Sequence, residues 1–180
     1  MDIHFITGNR NKFEEARHIM SCLVQLDIDL PEIQEIDAHK IIDAKLQEAR
    51  KHHTGRMIVE DTSLYLDCLD GLPGPLIKWF IVTIGVNGLY DIAYKYNNFG
   101  ASASTIVGYM DDCGEVYFFE GIIYGQIVSP RGTDGFTWDQ IFVPDGFDHT
   151  FAEMTKHEKN DMSMRKMAMS KLRVFYEGKD

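Results

Sequence analysis

The sequence predicts a mixed α/β protein, with parallel β-α units near the N-terminus and a β-rich middle. Short apolar runs, typical of buried strands, alternate with stretches whose apolar residues recur every three or four positions, as in helices. The chain has 180 residues, of which 44% are hydrophobic and 26% are charged, and this composition suits one domain with a sizeable core. We therefore predict a single domain over residues 1–180.

The first predicted β-α unit occupies the N-terminus. Residues 3–6 form a short apolar strand, and residues 7–12 form a polar turn that contains Gly8. The apolar residues that follow have helical spacing: Phe13, Ala16, Met20 and Leu23. A turn between a strand and a helix start collects free backbone N–H groups at the positive end of the helix dipole, so it can bind an anion. An ordinary strand-to-helix turn explains the same residues equally well.

The later segments continue the alternation of strands and helices. Apolar residues alternate with polar ones from Val24 to Leu30, which predicts a strand that Pro31 ends. Asp37 can cap the next helix. The apolar stripe of that helix comprises Ala38, Ile41, Ile42, Leu46 and Ala49. The other predicted elements are a short strand at 57–59, helices at 76–84 and 88–96, a hairpin of 105–110 with 116–119, a strand at 122–128 and a last helix at about 156–176.

Charge and cysteine content narrow the possible partners and compartment. The net charge of −10 argues against a general nucleic-acid or anionic-membrane binder, because phosphate backbones and anionic lipids need a basic face. The three cysteines are scattered and form neither a metal-binding spacing nor a disulfide framework, which favours the cytoplasm. No apolar run has the length of a membrane span, and the chain starts directly with a predicted strand rather than a signal peptide.

Polar residues at unusual positions indicate a site. Lys45 lies within an apolar helix stripe, where it must snorkel, pair with a carboxylate or meet a ligand. Glu60 and Asp61 follow the strand at 57–59, and Glu32 follows the strand that Pro31 ends. Open α/β sheets bind ligands at the carboxyl ends of their strands, and Mg²⁺ takes one or two carboxylates together with water and phosphate oxygens. Capping of a turn or helix is the alternative role for these carboxylates.

The run 135–139 adds two aromatic residues beside a carboxylate, which could stack on a flat base or fill a core. In the context of the other motifs, the whole chain from about residue 2 to 176 resembles the inosine triphosphate pyrophosphatase family, which removes nonstandard purine nucleotides. The matching segments are 7–12 (TGNRNK), 30–32 (LPE), 59–62 (VEDT), 71–75 (GLPGP), 77–80 (IKWF), 130–132 (PRG), 135–139 (GFTWD), 151–154 (FAEM) and 158–160 (EKN) with Ser163 and Arg165.

The resemblance implies a fold, an activity and a site. The fold is an elongated, two-lobed mixed sheet flanked by helices, with the nucleotide in a cleft between the lobes, usually in a homodimer. The activity is Mg²⁺-dependent hydrolysis of ITP, dITP or XTP to the monophosphate and pyrophosphate, with Mn²⁺ as a possible substitute. The implied metal ligands are Glu32 and Asp61, and the implied catalytic residues are Asp61 and Lys12. The implied nucleotide-binding residues are Thr7, Gly8, Asn9, Arg10, Asn11, Lys12, Lys45, Asp61, Thr62, Lys78, Phe136, Thr137, Trp138, Asp139, Lys159, Ser163, Met164 and Arg165.

Two positions depart from the family pattern. Thr137 stands where the family commonly has glycine, and Met164 stands where it has histidine, so selectivity for the base is expected to be weaker. A relaxed-specificity NTP pyrophosphatase and a nonhydrolytic nucleotide sensor are the alternatives. A sensor would not need the metal carboxylates Glu32 and Asp61.

Overall fold

The computed structural model describes residues 2–133 and 138–178. The strands in this part of the chain are β1 (Ile3–Ile6), β2 (Leu23–Leu26), β3 (Met57–Leu66), β4 (Pro73–Gly74), β5 (Gly100–Met110), β6 (Val116–Ile127) and β7 (Phe142–Pro144). The α-helices are α1 (Arg10–Ile19), α2 (Ala38–His52), α3 (Ile77–Tyr96), α4 (Lys156–Met162) and α5 (Met164–Glu177). Short 3₁₀ turns occur at Asp67–Leu69 and Asp139–Ile141.

The described strands form one mixed sheet in the order β2-β1-β3-β5-β6-β7, and β4 pairs with β3. β1 runs parallel to both β2 and β3, whereas β3–β4 and β6–β7 are antiparallel. The parallel pairs at the N-terminus and the β-rich middle confirm the predicted mixed α/β class. Within the described residues, no helix has the combined length and apolar character of a membrane span.

The contacts divide the chain into two compact units. The first unit comprises the described residues of Met1–Asp61, Thr105–Gly121 and Met164–Asp180. The second comprises those of Thr62–Ser104 and Ile122–Ser163.

The sheet of the first unit is apolar on both faces, so alternate residues of each strand enter different cores. Ile58 of β3 packs in a cluster with residues of α1 and α5, including Phe13 and Leu172. Its neighbour Val59 packs in a second cluster with residues of α2, including Leu46. Since successive side chains of a strand point to opposite faces, the next two residues of β3 also diverge.

Several boundaries differ from the predicted ones. α1 ends at Ile19, so Leu23 belongs to β2, and β2 ends at Leu26 rather than at Leu30. The predicted strands 116–119 and 122–128 are one strand, β6. Gly121 interrupts the apolar pattern because the Met164 carbonyl oxygen lies only 2.0 Å from the point where a Cβ would be, not because the strand ends there.

The two predicted helices at 76–84 and 88–96 are confirmed as the two helical segments of α3, which meet at a kink where Gly85 has non-helical geometry (φ 69°, ψ −178°). The last helix is divided, because Ser163 is extended (φ −65°, ψ 149°) between α4 and α5. At its other end, α4 begins with a capping box of Thr155 and Glu158, which satisfies the N–H groups of its first turn.

Candidate active site

Two consecutive carboxylates of β3 form the centre of the candidate site. The prediction that Glu60 and Asp61 follow the end of their strand is wrong, because β3 continues to Leu66. β3 pairs with β1 only through Met57 and Ile58, and β4 takes over from Leu64 onward. The two carboxylates therefore lie beyond the last residue paired with β1, although they are in the middle of β3.

Glu60 lies on the face of β3 that packs against α1 and α5. Its carboxylate accepts hydrogen bonds from Nε and Nη2 of Arg165 at 2.8 and 2.9 Å, and Nζ of Lys12 lies 3.0 Å away. Nη1 of Arg165 donates to Glu15. We call Lys12, Glu15, Glu60 and Arg165 the Glu60 cluster. Burial alone would raise the pKa of Glu60, but Arg165 and Lys12 outweigh it and lower the pKa to about 2.

Asp61 lies on the opposite face, towards α2. Nζ of Lys45 is 3.2 Å from Oδ1 of Asp61 and 2.7 Å from Oε1 of Glu32. We call Glu32, Lys45 and Asp61 the Asp61 cluster. Burial raises the pKa of Asp61 above its ordinary value, although Lys45 opposes this shift. Burial also acts to lower the pKa of Lys45, but its two carboxylates outweigh that effect and raise it, so Lys45 stays protonated.

The pairing of Lys45 decides between the roles that the sequence left open. Lys45 is buried and bound to two carboxylates, so it does not snorkel to the surface. Glu32 does not follow a strand end, since β2 stops at Leu26, and its side chain is 50% exposed. The irregular segment after β2 packs Ile28 and Leu30 against the cluster that contains α2 residues, and Glu32 of this segment reaches Lys45.

The donor set of the Asp61 cluster fits a hard divalent cation. Glu32 and Asp61 converge on a single positive charge, which is the arrangement that Mg²⁺ uses when one or two carboxylates hold it. In the ranges 2–133 and 138–178, no group of three His, Cys, Asp or Glu side chains could hold a metal. Water and phosphate oxygens would therefore complete the coordination shell.

The turn before α1 has the capping expected of a helix start. Asn9 is the N-cap and accepts from the backbone N–H of Lys12 at 3.2 Å, while Thr7 Oγ1 accepts from the N–H of Asn9 at 3.1 Å. The N–H groups of Arg10 and Asn11 have no acceptor among the described residues, so they remain donors at the positive end of the helix dipole.

Two other residues of this turn have specific surroundings. The carboxylate of Asp27 lies against Gly8, with Oδ1 2.9 Å from the position that a Cβ would occupy. The side chain of Arg10 is exposed and pairs with Glu14 at 2.8 Å, so it is not directed at the carboxylates of β3.

The expected base-recognition residues fall partly in the second unit. Trp138 is buried and packs against Phe142 and Phe151, with ring centroids 5.8 and 6.2 Å apart, as in the core-packing alternative. Asp139 is also buried and pairs with Nζ of Lys159 at 2.5 Å. Phe136 and Thr137 lie outside the described residues.

The remaining expected residues have varied surroundings. Lys78 is exposed at the start of α3, where its Nζ lies 5.9 Å from the ring centre of Trp79. Thr62 is half-buried in β3, and Ser163 and Met164 are buried where α4 gives way to α5. Arg165 was expected to read the base, but here its guanidinium pairs with Glu60 and Glu15.

The sequence analysis predicted Glu60 as one of the site carboxylates, but it predicted neither its ion pairs nor any role for Glu15. The spacing of Lys12 and Glu15 puts both on one face of α1, and Glu60 follows the buried residue Ile58 by two positions. These spacings could have predicted that Lys12 and Glu15 share one face of α1 and that Glu60 lies on the same face of β3 as Ile58. They could not have predicted that Arg165 of α5 binds both glutamates.

The fold and these clusters define an α/β protein with cationic and carboxylate groups gathered on one part of the sheet.

The sequence model of the Ham1 family matches residues 3–175, and the chain belongs to this family. The inosine triphosphate pyrophosphatase of Schizosaccharomyces pombe is 40% identical, over 97% of this chain and 95% of that protein. The inosine triphosphate pyrophosphatase of Kluyveromyces lactis is also 40% identical, with the same coverage.

Solved structures agree with this assignment. The Ham1 protein of Staphylococcus aureus has a TM-score of 0.85 at 22% identity and covers all of both chains, which supports the fold. A nucleoside-triphosphatase (dITP/XTP pyrophosphatase) from Mycobacterium abscessus has a TM-score of 0.77 at 26% identity, over 96% of this chain and 98% of that chain. The resemblance seen in the separate sequence motifs is therefore confirmed.

Proposed function

We propose that this protein hydrolyses nonstandard purine nucleoside triphosphates, such as ITP, dITP and XTP, to the monophosphate and pyrophosphate. The names of its relatives support this reaction. The structural observation that carries it is the convergence of Glu32 and Asp61 on Lys45, next to a second cluster in which Glu60 holds Lys12. Such a site combines carboxylates for a cation with ammonium groups for phosphate oxygens.

Asp61 is the residue that we assign to activating water. A general base works best when its pKa lies near the working pH, and the raised pKa of Asp61 moves it in that direction. Asp61 accepts a proton as the water oxygen bonds to the α-phosphorus. The bond from this phosphorus to the oxygen bridging the β-phosphate then breaks, and pyrophosphate leaves with the electron pair.

Positive groups of the chain stabilise the leaving pyrophosphate. Lys45 is fixed between two carboxylates and Lys12 is fixed by Glu60, so neither must be reoriented when charge develops. The open N–H groups of Arg10 and Asn11 add partial positive charge. Mg²⁺ or Mn²⁺, held through Glu32 and Asp61, would neutralise phosphate charge and lower the pKa of bound water.

Base selection rests on the resemblance. Hypoxanthine and xanthine carry an acceptor oxygen at position 6, where adenine has a donor amine, so donor groups at this position favour them. We propose that Phe136 stacks on the purine, with Asp139, Ser163 and Arg165 near its edge. For Arg165 this role requires that the guanidinium release some of its present hydrogen bonds.

A relaxed-specificity pyrophosphatase is the second candidate. Met164 offers no hydrogen-bond donor where the family pattern has a histidine, and a site that only packs against a polar edge discriminates weakly. Comparing kcat/KM for ITP, XTP, GTP and ATP separates the candidates. Preference for ITP and XTP by about 100-fold or more supports the nonstandard-purine assignment, whereas near-equal values support relaxed specificity.

We also propose a cytoplasmic homodimer. α3 exposes several apolar side chains, among them Trp79 at 50% and Val82 at 72%, and a second copy of the chain could cover them. Light scattering after size-exclusion chromatography tests this, because Val82→Glu should convert a dimer to a monomer.

The reaction itself is tested with purified protein and ITP in ¹⁸O-labelled water. We expect pyrophosphate as the first phosphate product, only with Mg²⁺ or Mn²⁺, and one ¹⁸O atom in the IMP. Asp61→Asn serves as the inactive control. Orthophosphate as the first product, label in the pyrophosphate, or full activity in excess chelator would contradict the proposal.

A further inference from the structure

An open surface cavity of about 520 Å³ lies beside α1, next to the edge strand β2, and the Arg10 and Glu14 side chains that line it are 84% and 51% exposed. Its lining comprises Arg10, Phe13, Glu14, Arg17, His18 and Gln25. Five of these residues follow one another at helical spacing on α1, and Gln25 belongs to β2. Neither Lys12 nor Glu60 lines the cavity. The Glu60 cluster lies on the other side of α1, so the cavity and the cluster are separate.

The charge of this cavity is the reverse of that of the chain. The chain has a net charge of −10, yet the cavity has two arginines against a single carboxylate. That carboxylate, on Glu14, is already bound to Nε of Arg10 at 2.8 Å. Arg17 has no carboxylate partner among the described residues, and its guanidinium lies over the ring of Phe13, 5.9 Å from its centre.

We propose that this cavity binds a phosphate-bearing anion of up to nucleotide size at a site distinct from the catalytic one. Cavities of roughly 300–1,000 Å³ accommodate small ligands, so the volume is sufficient for a mononucleotide. Arg17 supplies an unpaired planar guanidinium, which matches the geometry of phosphate oxygens. The guanidinium of Arg17 also lies over the ring of Phe13, whose face favours a cation there.

The cavity is also connected to the turn before α1. Gln25 lines it and donates from Nε2 to the carbonyl oxygen of Thr7 at 2.9 Å. Thr7 in turn accepts from the N–H of Asn9, the cap of α1. A ligand that displaces the Gln25 amide would disturb the turn that we assign to phosphate binding. This consequence rests on the proposed function, and it predicts an inhibitory component that is not competitive with ITP.

Calorimetric titration with orthophosphate, pyrophosphate and IMP tests the site directly. Lys12→Gln weakens the proposed catalytic site, so binding that survives in this variant and is lost when Arg17→Gln is added reports the α1 cavity. Adding Arg17→Gln to Lys12→Gln should weaken the surviving binding by about tenfold or more, as expected for a charged hydrogen-bonding group. Arg173→Gln is the matched control, because Arg173 is a partly exposed arginine of α5 outside the cavity.

The three probes identify the part of the ligand that matters. Tighter binding of IMP than of orthophosphate assigns a mononucleotide, and equal binding assigns the phosphate group alone; both support the site. The proposal is overturned if Lys12→Gln binds none of the probes, or if Arg17→Gln and Arg173→Gln have the same effect. Hydrolysis of ITP by Arg17→Gln should keep the wild-type kcat, and binding is measured without turnover, so failure of the proposed reaction remains distinguishable.

Discussion

Glu60 and Asp61 are adjacent in the chain, but the two faces of β3 give them opposite surroundings. Glu60 is one carboxylate between two cations, Lys12 and Arg165, and its pKa is lowered to about 2. Asp61 shares one cation, Lys45, with a second carboxylate, and its pKa is raised. Burial raises the pKa of both carboxyl groups; the two cations beside Glu60 outweigh that effect, whereas the cation that Asp61 shares with Glu32 does not.

This difference suggests a division of roles. Environments that push the pKa values of neighbouring acids apart are typical of sites where one acid transfers protons and the other stays charged. We infer that Glu60 is a positioning residue, which holds Lys12 and Arg165 between α1, β3 and α5. Asp61 is the residue that we propose to act on water.

The largest expected effect is on turnover by Asp61→Asn. The substitution keeps the shape of the side chain but removes the proton acceptor and one of the two carboxylates for the cation. We expect kcat for ITP to fall by about two orders of magnitude or more, with part of the nucleotide binding retained through Lys12. Steady-state assay of pyrophosphate release measures this, and turnover within a factor of three of wild type would assign the chemistry to another group.

A large effect on stability is expected for Glu60→Gln. The substitution leaves Arg165 and Lys12 without their shared charge partner in a buried position. Breaking a buried ion pair from one side typically costs about 3–5 kcal/mol, and we expect a loss of this size in the free energy of unfolding. Urea denaturation at pH 7 measures it, and a loss below about 1 kcal/mol would mean that Glu60 does not organise the cluster.

The same cluster predicts how stability depends on acid. The pKa of Glu60 is about 2 in the folded protein and near its ordinary value of 4.5 in the unfolded chain. Its contribution is thus complete above about pH 4.5 and is lost as the pH falls towards 2. The difference in unfolding free energy between wild type and Glu60→Gln should shrink across this window, and a constant difference would exclude the electrostatic explanation.

A smaller effect is expected for Glu15→Gln. Glu15 is 32% exposed and contacts only one arm of Arg165, which keeps both hydrogen bonds to Glu60. We expect a loss of about 1 kcal/mol in unfolding free energy. Glu14→Gln is the matched control, because Glu14 pairs with the exposed Arg10 and should cost less. Equal losses for the two variants would remove Glu15 from the cluster.

Local patterns were sufficient to predict much of this arrangement. The stripe of α2 and its Asp37 cap were predicted and are present, because both depend on residues a few positions apart. The same periodicity placed Lys45 in an apolar stripe, and pairing with a carboxylate was one of the three roles predicted for it. The structure shows this pairing, with Asp61. What could not be predicted depends on distant segments: β3 extends to Leu66 with β5 and β4 as its neighbours, and Glu15 meets Arg165, which is 150 residues away.

The most direct test of the division between Glu60 and Asp61 is the sign of their effects on unfolding free energy at pH 7. Burial raises the pKa of Asp61, so protonation of Asp61 stabilises the folded protein at low pH. This stabilisation is lost as the pH rises through the pKa that Asp61 has in the folded protein. Replacing Asp61 with neutral asparagine should therefore increase the unfolding free energy above the pKa, whereas Glu60→Gln should decrease it. Loss of stability in both variants, of similar size, would contradict the account.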